Sequence, residues 1–162
     1  MSRWRGGNIN PNCAYCRRNN KLKIETHLHL FFDCPSAYAI WRYVRPIIEL
    51  LVPQQTKVQC FIFSFGTNMK NFPISIQRLI MTIVQLTLYH IWINRNCYSI
   101  EKKIIDQAVS MRKIKTSFSR IVQNIFKKMC KGNNLANFRR NYCDNNRLIT
   151  LGPSESLLFN YP

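Results

Sequence analysis

From Pro35 onward the apolar positions of this chain recur at helical spacing. Between Pro35 and Leu51 the residues Ala37, Ile40, Trp41, Val44 and Ile48 draw one buried stripe. Asp33 or Ser36 is placed to cap that helix, proline is tolerated at its first turn, Pro46 predicts a kink and Pro53 closes the element. On this face Trp41 is expected to pack on Phe31 and the loop before the helix. Residues 54 to 73 carry a short apolar run, Cys60 to Phe65, stopped by Gly66, and periodicity does not choose between a buried strand and a strapped-down loop.

Pro73 opens a second helix from Ile74 to about residue 97, apolar on nearly every side. It reads as the central helix of a small bundle with both faces covered, and His90 and Trp92 therefore read as core residues. A third helix, Ile100 to about Lys131, is amphipathic. Ile104, Ala108, Met111, Phe118, Val122, Ile125 and Met129 advance along one side, while Lys113, Arg120 and Lys127, spaced by seven, fall into a separate stripe. Gly132 is a stop signal, and the asparagine-rich segment after it predicts a polar, loosely ordered tail.

Charge changes the picture. The 162 residues hold 24 Lys and Arg against 7 Asp and Glu, a formal net charge of +17 that points to a polyanionic partner, RNA or DNA, bound without sequence preference. With 46% apolar residues there is material for a core as well. The longest apolar stretch, Leu79 to Ile93, is interrupted by Thr82, Gln85, Thr87 and His90 and is shorter than the roughly 20 residues a bilayer needs, so no membrane partner is expected. The start, Met1 to Asn8, has cations without an apolar run behind them and does not read as a signal peptide. An odd count of seven cysteines argues against an oxidised framework and for a cytoplasmic or nuclear protein.

Chemistry concentrates near the start, in Cys13-Ala-Tyr-Cys16, twelve residues, then His29-Leu-Phe-Phe-Asp-Cys34. Three thiolates and an imidazole close a tetrahedral shell around a structural Zn²⁺, with no position left for a reactive water. Cys13 and Cys16 sit among Asn10, Pro11, Asn12, Arg17, Arg18, Asn19 and Asn20, where no apolar face exists to bury a thiol. Cys60, Cys97, Cys130 and Cys143 read instead as small buried hydrophobes. His27 and His29 would share one side of an extended segment. His29 is favoured because four residues separate it from Cys34, and His27 stays open as the alternative, otherwise a surface side chain or an RNA contact. In the loop between Cys16 and His29, Arg17, Arg18, Lys21 and Lys23 beside Tyr15 combine cations for phosphates with a ring that can stack on an unpaired base.

The string from Glu25 to Pro35, preceded by Cys13 and Cys16 and followed by Ala37 and Trp41, resembles the zinc-binding region at the carboxyl end of non-LTR (LINE-type) retrotransposon reverse transcriptases. Leu88 to Asn96 resembles that family's second segment, in which Ile-Trp precedes Arg-Asn. Together the two motifs span about residues 4 to 130, with Arg17 standing where the family has glycine. The resemblance implies metal ligation by Cys13, Cys16, His29 and Cys34, and an end piece of a larger polymerase whose catalytic core and endonuclease lie upstream.

No catalytic constellation is visible. Polymerase chemistry needs convergent carboxylates, and the seven acids are scattered, with no Asp-Asp pair, Gly-rich phosphate loop or Gly-x-Ser-x-Gly elbow. The expectation is a mainly α protein that is not an enzyme. It divides into a zinc module with the first helix at 1–53, a helical domain at 54–131 and the tail at 132–162, a small CCHC module before a bundle of about three helices. The alternative to nucleic-acid binding is a zinc-stabilised helical protein-interaction module, or a relic reading frame without selected function.

Overall fold

The computed structural model describes residues 11–52, 69–70, 72–130, 134–144, 146–154 and 156–162. The expectations for Pro53, Cys60 to Phe65, Gly66 and Gly132 lie outside these residues. A short turn of helix, α1 (Ala14–Arg18), and a π-helical turn (His29–Asp33) precede three long helices, α2 (Pro35–Leu51), α3 (Ile74–Glu101) and α4 (Gln107–Cys130). After them come α5 (Leu135–Phe138), a second π-helical turn (Arg139–Cys143) and two short strands, β1 (Ile149–Leu151) and β2 (Leu157–Phe159). The protein is mainly α, with a cysteine and histidine cluster ahead of the long helices.

Helix α2 forms where its stripe requires. Ala37, Ile40, Trp41, Val44, Ile47, Ile48 and Leu51 are all buried, Pro35 occupies the first turn where a missing N–H is harmless, and the helix continues through Pro46. Neither Asp33 nor Ser36 caps it. Cys34 holds the cap position in an extended conformation.

Helix α3 runs on to Glu101 because Cys97, Tyr98, Ser99 and Ile100 are all compatible with helix. It stops at Lys102, which adopts a left-handed φ of 56°. Ile76, Leu79, Ile80, Ile83, Val84, Thr87, His90 and Ile91 form its buried side. The expectation of two covered faces is overturned at Trp92 and Tyr89, which are 46% and 54% exposed, whereas His90 is buried. Trp92 is not a core residue, because it falls nearly opposite Ile83 and Thr87 on the helical wheel. By length and a mean hydropathy of 1.2 over its most apolar window this helix is also long and apolar enough to cross a membrane. Half of that window is buried within the fold.

Helix α4 begins seven residues later than its apolar pattern predicts. Lys102 breaks the path, and the Asp106 carboxylate accepts the Ala108 N–H at 3.0 Å as a new amino-terminal cap. Ile104 and Ala108 are consequently exposed, and the buried stripe is Ser110, Ile114, Phe118 and Val122, with Met111, Ile125 and Met129 half-buried. Asn94 and Ser110 exchange two side-chain hydrogen bonds, of 2.9 and 3.0 Å, that fix α4 against α3.

The tail corrects the sequence reading most. Its asparagines conceal apolar anchors. Phe138, Leu148 and Ile149 are fully buried, and Phe138 meets Phe126 of α4 edge-on at 4.9 Å and stacks on Tyr142 at 5.0 Å. The strands pair antiparallel with Ile149 opposite Phe159 and Leu151 opposite Leu157. Arg147 donates its backbone N–H to the Leu50 carbonyl at 2.8 Å, and Tyr161 bonds the Ser119 hydroxyl at 2.6 Å under a Lys115 ammonium 4.3 Å from its ring. The tail thus closes the lower end of α2 and one side of α4. Cys97, Cys130 and Cys143 are half-buried rather than core residues.

Candidate metal centre

Two arms build the site. In the first, Asn12 and Ile24 form an antiparallel bridge, Cys13 donates its N–H to the Lys23 carbonyl at 2.7 Å and Glu25 donates to the Pro11 carbonyl at 2.8 Å. Between the two bridged segments the chain turns once through α1, which sets Cys13 and Cys16 three residues apart on one helical side. Asn20, at a left-handed φ of 55°, reverses the chain, and the Lys21 N–H returns to the Cys16 carbonyl at 3.0 Å. Arg17 is accommodated inside α1, so the glycine of the resembled pattern is not needed there.

The second arm is helical and not the extended segment expected for His27 and His29. Thr26 Oγ1 accepts the His29 N–H at 3.0 Å, and the Cys34 N–H bonds to the His29 carbonyl at 2.8 Å, closing a π-type turn. In an α-helix five residues rotate a side chain by about 140°. The wider π-turn brings His29 and Cys34 back to one side. His27 is exposed, whereas His29 is buried with its Nε2 3.4 Å from Cys16 Sγ, so His29 is the histidine of the cluster.

The four donor atoms of Cys13, Cys16, His29 and Cys34 lie within 4.8 Å of one another, and all four residues are buried. Cys13 Sγ and Cys34 Sγ are 3.9 Å apart. Metal–sulfur bonds of about 2.3 Å and metal–nitrogen bonds of about 2.0 Å in a tetrahedron require edges of about 3.8 Å between sulfurs and about 3.5 Å between sulfur and nitrogen. The two distances match those edges, and the group is positioned to bind a metal ion.

Burial and mutual proximity set the electrostatics of the thiols. Burial pushes the Cys34 thiol up to about 12, against the Ser36 N–H that favours the thiolate, and the nearby Cys13 and Cys16 push in the same direction as burial. Burial and Cys13 also raise Cys16. The shifts at Cys16 and Cys34 favour the protonated thiols, and a cation held among the donors would reverse that preference.

The centre is bound to the helical body by an ion pair that the sequence does not announce and by the Trp41 packing that it does. Glu25 accepts a bidentate pair of hydrogen bonds from Arg95 of α3, with the two side chains only 21% and 20% exposed. Both residues lie in the segments that carry the family resemblance, and their opposite charges were the available signal. Trp41 Nε1 donates to the Phe31 carbonyl at 2.7 Å, and Phe32 stacks on the indole with ring centroids 5.7 Å apart. Comparisons with protein-family profiles, curated proteins and solved structures found no match.

The residues expected to contact nucleic acid divide into two groups. Arg17, Arg18, Lys21 and Lys23 are exposed around the knuckle, and Lys113, Arg120 and Lys127 are exposed on α4. Tyr15 is not an open stacking surface. It is half-buried with its ring edge against Tyr98 of α3 at 5.8 Å, where it helps seat the knuckle.

Proposed function

We propose that the chain is a non-catalytic nucleic-acid-binding module folded around one structural Zn²⁺, and that it forms the carboxyl-terminal portion of a retrotransposon-type reverse transcriptase, contacting RNA template or target DNA. The observation that carries the reading is the buried Cys13, Cys16, His29 and Cys34 cluster at the root of a loop carrying Arg17, Arg18, Lys21 and Lys23, in a chain of net charge +17. Zinc suits a three-sulfur, one-nitrogen tetrahedron with no open position. In that role it supplies folding energy and fixes the loop, which lowers the entropy lost when the loop meets a phosphate backbone.

The family assignment is supported by the joining of its two resembling segments through Glu25 and Arg95. The non-catalytic reading is supported by the structural use of four of the seven acids. Glu25, Glu49 and Asp144 are engaged by arginines, and Asp106 caps α4.

The test compares zinc-loaded protein with the chelated protein and with the Cys13→Ser, Cys16→Ser variant, measuring affinity for RNA and DNA across a salt series. The expected result is a steep fall of affinity with salt in the zinc-loaded form and a further loss when the metal or its ligands are removed. A flat salt response that chelation leaves untouched would reject the proposal and favour a zinc-stabilised protein-interaction module.

A further inference from the structure

The face of α3 turned away from the core carries an exposed aromatic pair. Tyr89 and Trp92, 54% and 46% exposed, stand three residues apart with ring centroids separated by 6.4 Å. Tyr89 also rests edge-on against the buried His90 ring at 5.4 Å. Gln85 and Arg78, seven and fourteen residues before Trp92, continue the same outward row and are exposed.

The neighbouring helix supplies the charge. Lys113 of α4 lies three residues beyond Ser110, whose side chain bonds to Asn94 of α3, two residues after Trp92. From Lys113 a shallow groove runs along α4, lined by Arg112, Thr116, Ser117 and Arg120. Lys113 and Arg120 are seven residues, about 10 Å, apart along the axis. Helix α4 holds six cations and no acid, and α3 has no acid before Glu101. Neither helix has a carboxylate beside the groove to neutralise it.

We infer that Trp92 and Tyr89 are a stacking platform for unpaired bases, that the groove from Lys113 to Arg120 carries phosphates of the same strand, and that the ligand is single-stranded nucleic acid. This rests on the nucleic-acid reading proposed above and moves the stacking function from Tyr15 to α3. Stacking requires an exposed base face, which a duplex offers only at its ends, whereas an aromatic surface beside cations accommodates any single strand. A purely apolar partner would leave the cations of α4 unanswered.

The test is fluorescence anisotropy of a short labelled oligouridylate and of an RNA duplex of equal length, titrated with zinc-loaded full-length protein over a range of salt. Trp92→Ala is expected to weaken single-strand binding about tenfold, in the range for one base stacked on an aromatic ring. Its salt dependence should be unchanged. Trp92→Phe should recover most of the loss, and Tyr89→Ala should reproduce part of it independently. Replacing Lys113 and Arg120 by Gln is expected to flatten the log–log salt slope by about 1.4, the increment for two single-strand phosphate contacts. Both aromatic side chains are exposed, so the variants should keep the wild-type circular dichroism and melting profile.

The platform is overturned if wild-type protein binds the oligouridylate while Trp92→Ala and Tyr89→Ala bind it equally well, or if the duplex is bound as tightly as the single strand. Wild-type protein that binds neither probe would bring down the nucleic-acid reading itself.

Discussion

The pair formed by Glu25 and Arg95 is the best place to ask what holds the metal arm to the helices. Opposite charges about 4 Å apart attract by about 4 kcal/mol at an effective dielectric of about 20, before the loss of hydration is subtracted. Each side chain keeps only about one-fifth of its surface in water. The net coupling should therefore exceed the fraction of a kcal/mol typical of exposed pairs and stay below the 3 to 5 kcal/mol of fully buried ones. About 1.5 kcal/mol is the expected value.

The assay is a double-mutant cycle of Glu25→Ala, Arg95→Ala and the double variant, each zinc-loaded and unfolded in urea. Arg95→Ala should be the more damaging single change, about 2 kcal/mol, because it leaves the Glu25 carboxylate half-buried without its cation. With a urea slope of about 1 to 3 kcal/mol per molar, the unfolding midpoint should fall by roughly 1 M. A coupling energy below about 0.3 kcal/mol would refute the claim that this pair docks the metal arm.

Phe118 lies fully buried at the centre of the α4 stripe, and Phe118→Ala should destabilise the protein by about 3 to 5 kcal/mol in chemical denaturation, while Ala108→Ser, on the exposed side, should change it by less than about 0.5 kcal/mol. His29→Ala should abolish stoichiometric metal binding, whereas His27→Ala, at an exposed position, should leave it intact; atomic absorption on dialysed protein separates the two. Tyr161 has its phenol pushed up to about 12 by burial, against the Ser119 bond that favours the ionised form. Because the folded value is raised, its contribution to stability is complete below the ordinary value near 10 and is lost as the pH rises toward 12. Denaturation midpoints of wild-type and Tyr161→Phe protein should therefore converge as pH is raised through that window, and a constant gap would contradict the assignment.

Much of the architecture is legible in the residues. Helix α2 is readable because Ala37, Ile40, Trp41, Val44 and Ile48 face one side without interruption. The metal cluster is readable because thiols in a polar stretch have no other ready role. Four features are not legible, for distinct reasons. The junction of α3 and α4 is hidden because Ile100 and Ile104 continue an apolar rhythm that the left-handed turn at Lys102 interrupts, and only tertiary packing selects the stop.

The tail is hidden because asparagine count outweighs a few large apolar residues, Phe138, Leu148, Ile149 and Phe159, which join the core with partners distant in sequence such as Phe126 of α4. The exposure of Trp92 and the partial burial of Tyr15 are hidden because composition alone does not tell an outward aromatic from an inward one. That difference depends on where α3 is covered, and Tyr15 takes its place against Tyr98. His29 over His27 follows from spacing, yet the π-turn that makes the choice possible is a local geometry no periodicity announces.

The central claim is that one metal ion is held by Cys13, Cys16, His29 and Cys34, and X-ray absorption at the zinc edge on freshly purified, reduced protein tests it most directly. The expected spectrum has three sulfur neighbours at about 2.3 Å and one nitrogen at about 2.0 Å, at one zinc per chain, with the nitrogen contribution lost in His29→Ala. A protein that carries no stoichiometric metal, or whose metal keeps the same shell after Cys13 and Cys16 are replaced by Ser, would contradict it.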